Sequence, residues 1–334
     1  MTTDQWNHKI FDHSPAGFDA LALAIFRYQT QHNPVYSEYL AILGRQPAAV
    51  KTMREIPFLP IRFFKTHRIA AGEFAAEASF ESSGTTGSVN SRHFVKDLSI
   101  YEQSFFTGFE QFYGPVSDYV VIGLLPSYLE RGNSSLVYMV NSMIEKSGRP
   151  ESGFYLYEFD KVAGLLKELE ARQTKTLLIG VTYALLDLAE QFPQPLRHTI
   201  IVETGGMKGR REEMIRPEVH AELKKAFGLA AIHSEYGMTE LLSQAWSKGD
   251  GIFNAPSWMK IMLREEEDPL TIKTITPGVT ISGAINIIDL ANIHSCSFIA
   301  TDDAGRLHSD GSFEVLGRID NSDIRGCSLL YDIQ

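Results

Sequence analysis

Cysteine is scarce in this chain: two residues in 334, Cys296 and Cys327. Two cysteines cannot build the multi-bridge framework of a small secreted fold, and neither stands in a Cys-x-x-Cys or Cys/His spacing that would hold zinc. Long apolar runs are missing as well. The longest clean one, Tyr119 to Leu125, falls far short of the ~20 residues a membrane helix needs and suits a buried strand. The amino terminus, MTTDQWNHKIFDHS, lacks the apolar core of a secretory signal, so a cytoplasmic location is expected. A basic excess is absent too: 31 Lys and Arg face 41 Asp and Glu, a formal net charge of −10. That balance excludes the broad phosphate-backbone footprint of a nucleic-acid binder. There is no internal repeat and no low-complexity linker. Small molecules and proteins are the expected partners, with homo- or hetero-oligomers left open.

What is present is enough apolar content, 44%, to bury a large core in one big α/β unit or two packed subdomains. Phe18, Leu21, Ile25 and Phe26 share one helical face, and Val35, Tyr39, Ile42 and Leu43 another, with a break at Asn33-Pro34. Residues 1–76 are therefore expected as a helical entry packed on the main domain. From Glu77 onward strands and helices alternate. Strands are expected at 78–81, 119–125, 154–157, 176–181, 199–203 and 230–235. Leu98, Tyr101, Phe105, Phe109 and Phe112 recur at helical steps, and 161–171 is a helix with Asp160 as N-cap. Such alternation predicts the α/β class, a mostly parallel sheet flanked by helices, over residues 77–268. After Asp268-Pro269 short pieces at 271–275, 284–289, 297–301 and 312–316 are divided by Gly and Asp turns. They predict a small β-rich subdomain with a hinge-like tail, 269–334.

Five blocks carry chemistry. Ser82-Ser83-Gly84-Thr85-Thr86-Gly87 packs four hydroxyls and two glycines after a strand. Glycines let backbone N–H groups turn toward an anion, and hydroxyls add donors. The lysine of a Walker loop is absent, so by composition the segment is an anion loop or a polar surface turn. Tyr236-Gly237-Met238-Thr239-Glu240 sets a hydroxyl and a carboxylate at the carboxyl end of a strand, where open α/β sheets bind ligands. The plain alternative is a strand-to-helix turn capped by Thr239. Glu203-Thr204-Gly205-Gly206 closes another strand, Thr301 to Arg306 reads as an acidic turn, and Gly317-Arg318-Ile319-Asp320 follows. Residues 128–138 either line a pocket or start a helix capped by Asn133 or Ser134.

In order and spacing these blocks resemble the adenylate-forming superfamily of acyl-CoA synthetases and related ligases. The resemblance implies the N-terminal-domain fold of those enzymes, with ATP and Mg²⁺ as cofactors and a carboxylic acid as substrate. It implies phosphates at Ser82, Ser83, Gly84, Thr85, Thr86 and Gly87, and adenine along Gly205 and Gly206, stacked on Tyr236 beside Gly237. Thr239 then meets the α-phosphate, Glu240 holds magnesium, and Asp303 and Arg318 bind ribose or phosphate. The family's Pro-Lys pair after the loop is Val89-Asn90 here, so the lysine's part is missing or falls to Arg92, His93 or Lys96. The glycine at the centre of the family's ribose turn is Asp302, which leaves open which of the two acids turns inward. Ile56 to Lys65, Glu235 to Gln244 and Ile324 to Cys327 are similar to the LuxE-type acyl-protein synthetases of bacterial bioluminescence. That similarity implies a fatty acid as substrate, acyl transfer to Cys327, and delivery to an acceptor protein, a reductase or carrier. Arg325 beside Cys327 would favour its thiolate. The chain ends fourteen residues past Asp320, so the superfamily's small C-terminal domain is expected to be absent. An acyl-CoA or acyl-carrier-protein ligase of phenylacetate-CoA ligase type, with Cys327 uninvolved, remains an alternative, as does a non-catalytic nucleotide-binding scaffold. From the residues alone both cysteines are small buried hydrophobes.

Overall fold

The computed structural model describes residues 3–82, 89–126, 133–206 and 214–319. The chain begins with α1 (Thr3–Phe11), α2 (Phe18–His32) and α3 (Pro34–Ile42), then β1 (Leu59–Pro60), α4 (Phe63–Thr66), β2 (Ala78–Glu81) and β3 (Arg92–Val95). It continues through α5 (Leu98–Tyr113), β4 (Val120–Leu124), α6 (Ser135–Ser147), β5 (Gly153–Tyr155), α7 (Phe159–Ala171), β6 (Thr176–Gly180), α8 (Thr182–Gln191), β7 (Thr199–Glu203) and α9 (Arg216–Phe227). The last strands are β8 (His233–Tyr236), β9 (Ala245–Ser247), β10 (Ile252–Asn254), β11 (Met259–Arg264), β12 (Ile281–Asp289), β13 (Phe298–Leu307) and β14 (Phe313–Arg318). These elements form two compact units, one of Met1–Phe105, Gly237–Gln244 and Ala255–Val315, the other of Phe106–Tyr236, Ala245–Asn254 and Leu316–Gln334. No helix among the described residues is long and apolar enough to cross a membrane.

In the first unit β11, β12 and β13 run antiparallel, and the short β1 adds to β13 in parallel, Leu59 opposite Ile299. The break at Asn33-Pro34 has a direct cause. The Asn33 side chain accepts from Tyr36 N at 3.0 Å, capping α3, and its amide donates to Ser295 O at 3.0 Å. One helical turn upstream, Gln29 donates to Asn292 O and accepts from Ser297 N. Buried amide side chains thus tie α2 and α3 to the segment between β12 and β13. The buried face of α3 is Tyr36 and Leu40, whereas Ile42 is 78% exposed. Apolar residues at 35, 36, 39, 40, 42 and 43 support two different faces of a nine-residue helix, and the cap at Asn33 with Tyr36 OH on Pro57 O selects one of them.

The second unit is the expected parallel sheet. Its order is β5, β4, β6, β7, β8, all parallel, then β9 and β10 antiparallel. β4 and β6 are buried along their whole length, which explains why they read as continuous apolar runs. Ser134 caps α6 by accepting from Val137 N, so residues 133–138 are a helix start. Helix α7 begins at Phe159, placing Asp160 inside its first turn, where a negative charge complements the helix dipole.

Two expectations fail locally. Residues 271–275 form no strand; a single bridge joins Ile272 to Arg264. The stretch 301–306 is not a turn but the interior of β13, where Gly305 lies opposite Gly283 of β12. Aspartate and glycine signalled a turn there, yet the glycine serves close strand approach. A Cβ at Gly305 would meet Glu314 O at 2.6 Å, and one at Gly283 would meet Arg264 O at 2.6 Å. The chain reverses later, around Gly311, whose N–H bonds His308 O at 3.0 Å.

Gly305→Ala is therefore expected to cost about 1–3 kcal/mol through overpacking. Gly164→Ala, on the exposed side of α7 with nothing within 4 Å of the new Cβ, should instead stabilise by about 0.5–1 kcal/mol. Urea unfolding of the two variants beside wild type checks both signs.

Candidate active site

In the first unit the β2–β3 hairpin fixes where the hydroxyl-rich loop leaves and returns. Ser82 N donates to Ser91 O at 3.0 Å, and Ser91 N donates to Ser82 Oγ at 2.9 Å. Ser83, Gly84, Thr85, Thr86 and Gly87 lie outside the described residues, as do Asp320 and Cys327. On β3 the buried positions are His93 and Val95, with Arg92 exposed. The His93 ring reaches Thr239 O through Nδ1 at 2.9 Å. Burial pushes its pKa down to about 4, against the smaller upward pull of that hydrogen bond, so at neutral pH the ring is uncharged and donates from Nδ1. His93 accordingly supplies no charge in place of the missing lysine. Arg92 pairs with Glu81 at 3.2 Å.

The segment after β8 is held at consecutive backbone groups. His93 takes Thr239 O, and Asn292 Nδ2 takes Glu240 O at 2.8 Å. Asp289, the last residue of β12, then accepts from Leu242 N at 2.9 Å, Ser243 N at 3.0 Å and Ser243 Oγ at 2.6 Å. Trp258 Nε1 donates to Ser243 Oγ and to Ser104 Oγ. Glu240 is 5% exposed and Thr239 half-buried. The turn expected here exists, but it leads to strand β9 rather than to a helix, so Thr239 is not a helix cap.

Asp303 is buried on β13, while its neighbour Asp302 is paired with Arg62 at 3.1 Å. Asp303 is thus the inward acid of the two. Below it Arg264 is buried, donating to Ile285 O, Asn286 Oδ1 and Thr301 O. Cys296 is fully buried, and burial pushes its thiol up to about 12.

In the second unit Gly205 and Gly206 follow β7 at φ +80° and +99°, values that favour glycine. Their carbonyls accept from Thr182 N and Tyr183 N, the first amides of α8. Glu203 ends β7 as a buried carboxylate. It accepts from the Thr182 hydroxyl and from Gly205 N at 2.7 Å, with Ser234 Oγ at 3.5 Å and His220 Nε2 at 3.9 Å. Burial alone would raise its pKa; bonding to His220, the charge of Arg216 and the Thr182 bond outweigh it and hold the group at about 2. Glu235 behaves oppositely. It lies one residue beyond Ser234, which pairs with Glu203, so the two carboxylates leave opposite faces of the sheet. Although partly open to solvent, it sits deep among protein atoms, and burial, with the charge of Glu203, raises it to about 8. Tyr236 ends β8 at 8% exposure, its ring 5.9 Å from Phe253. Arg318 ends β14, half-buried.

Asp289, Asn292, Glu203 and Glu235 were not candidates from sequence. The available signal was an acid closing an apolar strand, INIID and TIIVE; for Asn292 there was none.

Asp289→Ala should cost about 2–4 kcal/mol, because three backbone amides and the Ser243 hydroxyl lose their buried acceptor, and thermal unfolding measures it. For Glu235 the folded-state value of about 8 lies above the ordinary 4.5. The native state therefore holds an extra proton between those values, and its contribution is lost as pH rises through about 8. Glu235→Gln should raise Tm at pH 8.5 and leave it nearly unchanged at pH 5.

No family model matches the chain, and no curated protein matches it. Solved structures do. ATP-bound MatB from Rhodopseudomonas palustris aligns over 72% of this chain and 48% of its own, at 20% identity and TM-score 0.53. A chimera, RpMatB-BxBclM B3, also with ATP bound, gives the same values. An open conformation of 2-hydroxyisobutyryl-CoA ligase in complex with 2-HIB-AMP and CoA aligns over 90% of this chain and 69% of its own, at 12% identity and TM-score 0.62. The chain spans about half the length of the MatB structures it matches. The fold is that of the adenylate-forming enzyme domains.

Proposed function

We propose that the chain activates a carboxylic acid, of fatty type, with ATP to an acyl-adenylate, then carries the acyl group on Cys327 to an acceptor protein such as a reductase or carrier. One observation carries this reading. The block Tyr236–Glu240 closes a parallel strand, and its Thr239 and Glu240 carbonyls and the amides after them are fixed by buried side chains. The fold on which this occurs is one whose solved examples hold ATP or an acyl-AMP.

The donor set suits a magnesium nucleotide. Thr239 offers a hydroxyl and Glu240 a hard carboxylate, while Asp303 adds a second acid. Among the described residues no cluster of three or more His, Cys, Asp or Glu could hold a metal, and Mg²⁺ bound through one carboxylate plus substrate phosphates needs none. When bound, magnesium neutralises charge developing on the phosphates. Ser82 to Gly87 would take phosphate oxygens; Gly205, Gly206, Tyr236 and Gly237 would frame adenine; Asp303 and Arg318 would bind ribose. The acid's oxygen forms a bond to the α-phosphorus as the bond to pyrophosphate breaks. The Cys327 thiolate then attacks the acyl carbon and AMP leaves. The clamp matters because groups aimed before reaction cost no reorganisation during it.

A second reading has its own support: the 2-hydroxyisobutyryl-CoA ligase structure contains CoA, so the acceptor would be CoA with Cys327 uninvolved. Acid-dependent exchange of labelled pyrophosphate into ATP tests the common step. One acid should drive exchange, Glu240→Gln should lower it by about 100-fold or more, and Cys327→Ser should leave it intact while abolishing hydroxylamine-sensitive acyl-protein. Wild-type rates of acyl-CoA formation by Cys327→Ser favour the second reading. No exchange with any acid, even with a partner reductase present, leaves only a nucleotide-binding scaffold.

A further inference from the structure

Within the first unit a cleft of about 490 Å³ opens along β11, the edge strand of its sheet, a size in the range of small-molecule sites. Six apolar residues line it: Met53, Ile261, Met262, Leu263, Ile275 and Leu307. Its rim is cationic, with Arg54, Lys260 and Lys273 against a single lining acid, Asp19. That inverts the balance of the chain, in which 41 acids outnumber 31 bases. None of these residues belongs to the nucleotide blocks.

The rim charges can be followed pair by pair. Lys260 meets Asp19 at 3.3 Å and Lys273 meets Glu265 at 3.1 Å. Arg54 donates instead to a neutral group, Thr274 Oγ1, at 3.0 Å. The acid next to Arg54 in sequence, Glu55, is engaged elsewhere, accepting from Lys51 N at 2.7 Å and Thr52 N at 3.0 Å. Three cations against two carboxylates leave one positive charge, and the Arg54–Thr274 bond sets it beside the strip that carries Lys273. A guanidinium presents a planar fork that matches a carboxylate. A single surplus charge answers a monoanion rather than a dianionic phosphate.

We propose that this cleft binds a single-chain fatty carboxylate, with its head on Arg54 and Lys273 and its chain along the apolar residues of the β11 edge. It is a second acyl site, filled without nucleotide and independent of the adenylation reading.

The test uses the full chain without ATP and a dodecanoic acid bearing a photoreactive diazirine, with labelled peptides mapped by mass spectrometry. Label is expected on 260–263 and 273–275, displaced by laurate and not by dodecanol or acetate. Arg54→Gln, an exposed change that leaves the core untouched, should weaken laurate competition by about tenfold, and Lys273→Gln should weaken it too. Lys146→Gln, on α6, should leave it at the wild-type value. Label confined to other peptides, equal competition by dodecanol, or Arg54→Gln binding within twofold of wild type overturns the proposal. Because no nucleotide is present, failure of pyrophosphate exchange leaves this result standing, and the reverse also holds.

Discussion

A carboxylate placed out of reach of solvent must be met by donors or it will hold its proton. Asp289 is such a group: burial lifts its pKa to about 6 even though Leu242 N, Ser243 N, Ser243 Oγ and Ala291 N all donate to it. Two of these donors are backbone amides of a segment with no helix or sheet of its own to satisfy them, so carboxylate and segment each resolve the other's burial. Asn292 and His93 extend the same bargain to the carbonyls of Glu240 and Thr239. Asn292 O in turn accepts from Gln29 of α2, so the polar network running through this unit's core also fixes its entry helices. Removing one member leaves others buried without partners, which is why such a network specifies one geometry rather than merely adding stability.

The second unit solves a related problem with a different result. Glu203 and Glu235 stand on adjacent strands, yet one is held near 2 and the other near 8. The difference is neighbourhood. Glu203 faces the amino end of α8 and the α9 side, where Thr182, Gly205 N, His220 and Arg216 favour its charge. Glu235 faces the opposite side, and the charge that Glu203 retains adds to its own burial. One ionised carboxylate thus helps keep the other protonated at neutral pH, a division that strand alternation makes available from two residues close in register.

The sequence pattern carried the parallel sheet well because buried parallel strands are written as apolar runs: 199–203 coincides with β7, and 176–181 with β6 but for its last residue. It misled where one residue type serves two ends. The acids and glycine of 301–306 resemble a turn, yet Gly305 is needed for strand contact at Gly283. The apolar residues of α3 allow two faces, and only the cap and the Tyr36 hydroxyl bond, both tertiary facts, choose between them. In the candidate site, the sequence placed the Tyr236–Glu240 block at the end of a strand, and it lies there, at the end of β8. The residues that hold those blocks were not. His93, Asp289 and Asn292 lie 146, 47 and 52 positions from the groups they bind, and nothing local marks a side chain whose partner is a distant carbonyl or amide.

The clamp also bears on how phosphate charge would be met under the proposed reaction. A loop lysine is absent at Asn90, and the two nearest basic residues on β3 do not replace it alike. His93 faces inward and is neutral, a choice that lets it donate to Thr239 O without burying a cation. Arg92 takes the other face by strand alternation and is matched by Glu81. Of the three residues proposed as substitutes only Lys96, past the end of β3, brings a cation with neither of these commitments, and its ammonium lies 5.9 Å from the Phe74 ring. The positive field for a leaving pyrophosphate would then come chiefly from magnesium and backbone N–H groups. A site built that way depends more on exact placement than one with a buried lysine, and what the four fixed groups, the Thr239 and Glu240 carbonyls and the Leu242 and Ser243 amides, would contribute is the placement of the Thr239 and Glu240 side chains.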